Sequence, residues 1–178
     1  MIGTAIGIYL GPIYGFWDFP QDLARPKPQP SHADILVDLR SKILNGLLQD
    51  PDCLGFLGAW GSDPLALIKV IPITEGNVSP FPRTQAITTE TLTPSSPIPI
   101  NPSIEINHNG FFFEPGATAS LGGQTFQTGT PQFQTEVLLH ELGHATGVLP
   151  LDANSAKQED ANNAAIVQKC SKTINGAR

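Results

Sequence analysis

The sequence predicts a single α+β domain with many loops. Some segments repeat apolar residues at helical spacing, whereas residues 84–92 and 103–113 are Thr-rich, alternating or aromatic, as strands are. The chain has 178 residues, 40% of them hydrophobic, which is enough for one core but hardly for two. Its 17 Pro and 17 Gly exceed what a helical bundle needs. We therefore expect a small sheet packed against helices.

The charge of the chain excludes two classes of partner. The formal net charge is −6, and the Lys and Arg residues form no cluster. Nucleic acids and anionic membranes bind basic surfaces, so we expect neither as a partner. No apolar run approaches the ~20 residues that a membrane-spanning helix needs. We expect the domain to act as a monomer.

The start of the chain differs from the rest. Residues 1–16 are apolar but lack the basic start and the cleavage site of a signal peptide, and residues 18–31 are rich in Pro. We interpret residues 1–31 as a leader and linker, or as the edge of a longer polypeptide. Residues 32–178 would form the folded domain.

Several helices can be predicted in order. Ser31 is a suitable N-cap for a helix that continues through ADILVDLRSKILNGLL. Residues 53–57 suggest a further short helix. Residues 65–74 could begin as a helix and end as an edge strand, because Pro72 excludes a central one.

The second half contains two predicted loops and two predicted helices. Residues 93–102 (TPSSPIPINP) and the turn-rich residues 115–132 are expected to be loops. Residues 133–148 are compatible with a helix up to His144, and Gly147 can end it in a left-handed conformation. A terminal helix would carry Ala164, Ala165, Val167 and Cys170.

The residues that can carry chemistry are concentrated in the motif HELGH, within the helix predicted at residues 133–148. His140 and His144, four residues apart on a helix, project from one face and can reach the same ion, with Glu141 beside them. Zinc in such a site keeps a position for water and lowers its pKa, while the carboxylate accepts the proton. By chance the pattern would occur about 0.003 times in a chain of this composition. We expect surface or capping roles for the other two histidines, His32 and His108.

The segment HELGHATG resembles the signature of the zincin metalloproteases, in the HExxHxxG form that Gly147 completes. In metzincins a third ligand, His or, in the snapalysin-like branch, Asp, follows three residues after that glycine; here Pro150 occupies the position, and the only Met is Met1. Residues 103–152 also resemble bacterial secreted zincin-like domains. The resemblance implies a twisted mixed or mostly antiparallel sheet on a backing helix and an active-site helix, followed by a C-terminal helix.

Three residues are candidates for the third zinc ligand. We favour Asp152, because it can reach the metal if Gly147 reverses the direction of the chain. The alternative role of Asp152 is to cap a helix starting near Asn154. Glu159 and Asp160 remain as candidates on the later helix, as in gluzincins.

The two cysteines, Cys53 and Cys170, lie in no metal-binding pattern, and spacing alone does not decide between free thiols and a bridge. The resemblance implies a secreted or cell-surface bacterial protein, in which a disulfide between them is expected.

The sequence leaves three functions open. The first is a zinc endopeptidase that binds a protein or peptide substrate along an edge strand, which we expect within residues 104–113. The second is a catalytically weak zinc domain that binds a partner, since no obvious transition-state stabiliser follows the motif; Tyr9 and Tyr14 lie in the leader and Arg178 at the end. The third is a globular domain without metal.

Overall fold

The computed structural model describes residues 29–78, 85–93, 96–152 and 155–177, with the side chains of residues 92, 93, 96 and 97 left out. Most of the predicted leader, including Tyr9 and Tyr14, and Arg178 therefore lie outside the described residues. The described chain is mixed α and β, as expected. Its elements are α1 (His32–Gln49), α2 (Pro51–Leu57), α3 (Pro64–Val70), β1 (Ile73–Gly76), β2 (Ala86–Thr93), β3 (Ser96–Asn107), β4 (Thr118–Leu121), β5 (Gln124–Gln127), α4 (Pro131–Ala145), α5 (Ala156–Lys169) and α6 (Ser171–Gly176).

The first helix begins where its N-cap predicts. Ser31 accepts a hydrogen bond from the backbone N–H of Asp34, and the Asp34 carboxylate accepts one from the Ser31 backbone, so both form a capping box. Leu39, Ile43 and Leu47 recur on one face of α1 and are buried. This face belongs to the main core, which also includes residues of α4, β3 and α6.

The larger sheet has three described strands in the order β1-β3-β2, with β1 parallel and β2 antiparallel to β3. The edge strand predicted near Pro72 is confirmed as β1. The loop predicted at 93–102 is wrong in part, because β3 already begins at Ser96. Its pairing with β2 contains register shifts around Thr91, and Asn101 has a φ of 52°. Proline has no N–H to donate and would interrupt a regular ladder. Such irregularities allow this Pro-rich segment to pair as a strand all the same.

The turn-rich residues 115–132 also contain structure that the sequence pattern concealed. Strands β4 and β5 pair antiparallel, and Gly122 and Gly123 form the turn with positive φ values. A Cβ on Gly122 would come within 2.6 Å of the Asn163 carbonyl oxygen, so glycine lets the turn approach α5 closely. The hairpin therefore packs beside the helix that follows the histidine motif.

A disulfide between Cys53 and Cys170 joins α2 to the end of α5, which confirms the predicted bridge. The bridged residues are 117 positions apart, and a loop of this length stabilises a domain by about 4 to 5 kcal/mol on the chain-entropy account. A disulfide is consistent with an oxidising, extracellular location. Among the described helices, none combines the length and apolar character needed to cross a bilayer.

Candidate metal centre

Helix α4 carries both motif histidines into the interior. All its residues from Phe133 to Ala145 are buried, and the side chains of His140 and His144 are only 7% and 6% exposed. The two Nε2 atoms lie 3.0 Å apart, so both rings are directed to one point, as the spacing of four residues predicts. Two imidazoles this close inside a protein are costly without a shared partner.

The chain reverses immediately after α4. Gly147 has a φ of 77°, and its N–H donates to the His144 carbonyl, so the predicted left-handed end of the helix is confirmed. Leu149 then returns over the helix and donates its N–H to the Gly143 carbonyl at 3.1 Å. A Cβ on Gly143 would lie 2.5 Å from the Leu149 side chain. A larger residue at position 143 would therefore displace the Leu149 side chain.

This return places Asp152 at the two imidazoles. Its Oδ2 atom lies 3.2 Å from His140 Nε2 and 3.4 Å from His144 Nε2. Burial would raise the pKa of Asp152, but its hydrogen bonds with both histidines outweigh burial and hold this pKa well below its usual range. Ser155, and not Asp152, caps α5 with its side chain. Asp152 is thus available to bind a cation.

Two asparagines of α5 orient these groups. His140 Nδ1 lies 2.6 Å from Asn163 Oδ1, which as an acceptor keeps a proton on Nδ1 and orients the ring so that Nε2 faces the cluster. Asn162 Nδ2 donates to Asp152 Oδ1 at 2.6 Å and to the Pro150 carbonyl at 2.8 Å. Both asparagines are buried, and sequence reasoning missed them; the only signal was a pair of amides within an Ala-rich helix.

Glu141 is held by a residue that the sequence did not single out. Thr88 of β2 donates its hydroxyl to Glu141 Oε2 at 2.7 Å, and the same hydroxyl lies 3.0 Å from the Glu141 backbone carbonyl. Nothing in the sequence distinguishes Thr88 from the other threonines of β2. Its position depends on the packing of β2 against α4, which brings the strand next to the motif.

A cleft of about 500 Å³ opens beside these residues. One wall comes from α4 and the loop after it, with Glu141, His140 and Asp152. A second wall comes from β2, with Ala86 and Ile87, and residues of α5 form the opposite side. Glu159 lines the cleft from α5, but its carboxylate does not belong to the cluster of ligand atoms of His140, His144 and Asp152. Asp160, on the same helix, is exposed and does not line the cleft.

The edge of the cleft corrects one expectation. The predicted substrate strand at 104–113 begins in β3, which is the central strand of the described sheet, and residues 108–113 lie outside it. Within the part of the chain that the structure describes, β2 is the edge strand that borders the cleft. The sequence could not show which of two adjacent strands would be at the edge.

The cluster of His140, His144 and Asp152 could hold a metal ion. Their ligand atoms all lie within 4.8 Å of one another. Two imidazoles and one carboxylate are a set of three protein ligands that zinc accepts while keeping a position for water. Burial alone would lower the pKa of His140, but the hydrogen bond with Asp152 and the charges of nearby carboxylates raise it to about 9. The site attracts positive charge even without a metal.

A further buried carboxylate, Glu136, lies one turn before His140 and also lines the cleft. Neither of its carboxylate oxygens has a hydrogen-bond partner among the described residues. Burial raises the pKa of Glu136 to about 8; the charges of Glu141 and Glu159 add to the increase, and His140 opposes it. Glu136 is thus mostly protonated at neutral pH in the metal-free protein.

This shift predicts how pH changes the stability of the metal-free protein. The folded state binds the Glu136 proton more tightly than the unfolded state does, so Glu136 makes the free energy of unfolding fall as pH rises from about 4.5 to about 8. With chelator present, Glu136→Gln should raise the thermal midpoint relative to wild type by roughly 5 °C at pH 9 and much less at pH 5. Glu114→Gln, at an exposed carboxylate, is the control. Equal differences at both pH values would contradict this explanation.

Comparison with known proteins gives no match to this chain, whether with family models, curated sequences or solved structures. The resemblance to zincins therefore rests on the sequence motif alone.

Proposed function

We propose that the protein is a zinc-dependent endopeptidase of the zincin type, whose metal is bound by His140, His144 and Asp152. The observation that carries the proposal is the convergence of the Asp152 carboxylate on both motif imidazoles, at 3.2 Å and 3.4 Å, with Glu141 next to them at the cleft. Two buried imidazoles and one half-buried carboxylate, with a general base beside them, are what metal-assisted hydrolysis requires.

A zinc ion bound by these residues would supply Lewis-acid activation of water and of the scissile carbonyl. The chain itself supplies the proton transfer. Glu141 lines the cleft and accepts the proton of the attacking water, while the Thr88 hydroxyl fixes the orientation of its carboxylate. Asn163 keeps the Nδ1 proton on His140, and Asn162 orients Asp152, so the ligands are held in position before substrate binds.

The substrate would be an extended polypeptide lying along β2. This strand borders the cleft next to α4, and a peptide can add to a free sheet edge by backbone hydrogen bonds that do not depend on its sequence. Backbone pairing would place a scissile bond above Glu141, because Thr88 of the same strand already touches that residue.

The alternative function is a zinc-stabilised binding domain with little or no catalysis. Among the described residues that line the cleft there is no Tyr, Arg or Lys to stabilise a developing oxyanion. Under this alternative the same three ligands would stabilise the fold, and β2 could still bind a partner. Both functions predict a bound metal ion, but only the endopeptidase would hydrolyse a peptide substrate.

The test combines metal analysis with a protease assay on the full chain. We expect zinc to copurify with the protein and an unfolded casein-type substrate to be cleaved, with activity lost after chelation and restored by added zinc. Zinc without any cleavage would support the binding domain, and protein without bound zinc that takes up none on titration would overturn both functions.

A further inference from the structure

A second group of metal-binding side chains lies at the surface, outside the cleft. His32 Nδ1 lies 2.8 Å from Glu75 Oε1, and His108 Nδ1 lies 2.5 Å from the same oxygen. The three ligand atoms lie within 4.8 Å of one another. From the sequence, the two histidines were expected to have separate surface or capping roles. Both are at the surface, but the fold brings them to one carboxylate.

The three ligands come from three different elements. His32 is the first residue of α1, Glu75 lies in β1, and His108 directly follows β3. The His108 N–H donates to the Gly76 carbonyl at 2.7 Å, which fixes the loop to the end of β1. An ion bound here would join the start of the first helix to two neighbouring strands.

The imidazole of His32 is already oriented. It stacks on the ring of Phe113 with a centroid separation of 3.8 Å and an interplanar angle of 4°. This contact places the ring edge, and not its face, towards Glu75, so Nδ1 points to the cluster. A preoriented ring loses less conformational entropy when it binds an ion than a free surface histidine does.

A hydrogen-bonded surface network is the simpler interpretation of the same atoms. In that network a single carboxylate oxygen accepts from both imidazoles, which requires that both Nδ1 atoms carry protons. Such exposed pairs contribute little to stability, and the side chains of His32, Glu75 and His108 are 40%, 27% and 59% exposed. The same convergence of three ligand atoms is what an ion needs, and an ion bound there would displace the protons that the two Nδ1 atoms donate to Glu75.

We propose that His32, Glu75 and His108 form a second, structural site for a divalent transition-metal ion of the zinc class. Two imidazole nitrogens and one carboxylate suit zinc, nickel or copper better than the calcium or magnesium that all-oxygen sites select. The site is structural because it lies outside the cleft that holds Glu141 and links α1 to the sheet. This proposal does not depend on the hydrolysis proposed above.

The experiment is a zinc titration of metal-free full-length protein, with bound metal counted after desalting. Wild type should bind about two equivalents and His32→Ala/His108→Ala about one. His140→Ala/His144→Ala should also bind about one, and that equivalent should be lost when the two pairs of substitutions are combined. Glu114→Gln, at an exposed carboxylate near Phe113, is the matched control and should bind as wild type does.

Thermal unfolding gives a second readout, which does not require that the His140→Ala/His144→Ala variant folds. Zinc should raise the midpoint of wild type by about 5 °C more than that of His32→Ala/His108→Ala at zinc concentrations far above saturation. If wild type binds about one equivalent and His32→Ala/His108→Ala keeps it, the second site does not exist, whereas the buried site remains supported. If the single equivalent is lost in that surface variant, the second site stands and the buried one is contradicted.

Discussion

Glu141→Gln should abolish peptide hydrolysis while zinc remains bound. The substitution keeps the size of the side chain and an oxygen that can still accept the Thr88 hydroxyl, but it removes the group that takes the proton from water. We expect kcat/KM to fall by about 10³-fold or more. The measurement is hydrolysis of an unfolded protein by variant and wild type at equal, verified zinc occupancy.

Variants at Thr88 provide the matched control for this result. Thr88→Ser keeps the hydroxyl that orients Glu141 and should remain close to wild type, whereas Thr88→Val removes it and should lower kcat by roughly tenfold. Full activity in Glu141→Gln would remove Glu141 from the mechanism. Loss of zinc together with activity would mean that the residue acts on metal binding and not on the chemistry.

Asp152→Ala should weaken zinc binding at the buried site by about 100-fold or more. Among the described residues, Asp152 supplies the only carboxylate that reaches both Nε2 atoms, and two imidazoles alone are a poor set of ligands for zinc. The affinity should be measured by competition with a chromophoric chelator. Carrying out the titration in a His32→Ala/His108→Ala background prevents the proposed surface site from hiding the change.

Two further variants distinguish a ligand from a neighbour. Glu159→Ala removes the other carboxylate considered from the sequence and should leave zinc affinity unchanged, because that group lines the cleft away from the grouped ligand atoms. Asn162→Ala frees the Asp152 carboxylate to rotate and should weaken zinc binding by about 10- to 100-fold. If zinc binding survives in Asp152→Ala and fails in Glu159→Ala, the gluzincin-like arrangement is correct.

The helices were predictable because their signals are local. Ser31 and Asp34 form the cap of α1 between themselves, and the end of α4 follows from the conformational freedom of Gly147. The spacing of His140 and His144 on one helix likewise needs no other part of the chain. Short-range hydrogen bonds and the 3.6-residue period decide these features.

The strands were predicted less well because a strand is completed by a partner distant in sequence. The segment 93–102 was expected to be a loop on account of its prolines, yet Thr93 ends β2 and the residues from Ser96 onward belong to β3, which pairs with β2 through an irregular ladder. The β4–β5 hairpin was hidden by its Gly-rich turn, and the strand expected at the substrate edge proved to begin in the centre of the sheet. Register and strand order depend on tertiary contacts that periodicity does not encode.

From the sequence we predicted the mixed α and β class, the helices α1 and α4, the motif of His140, Glu141 and His144 and, on the assumption of an exported protein, the disulfide partners. Asp152 was the favoured third ligand, with Glu159 and Asp160 as the alternatives. Only the tertiary structure brought Asp152 to both imidazoles, Thr88 to Glu141, and His32 and His108 to one carboxylate of β1. The physical reason is distance along the chain. Residues one helical turn apart meet because of backbone geometry, whereas residues 12 to 53 positions apart, such as His140 and Asp152 or Thr88 and Glu141, meet only when the tertiary fold brings their segments together.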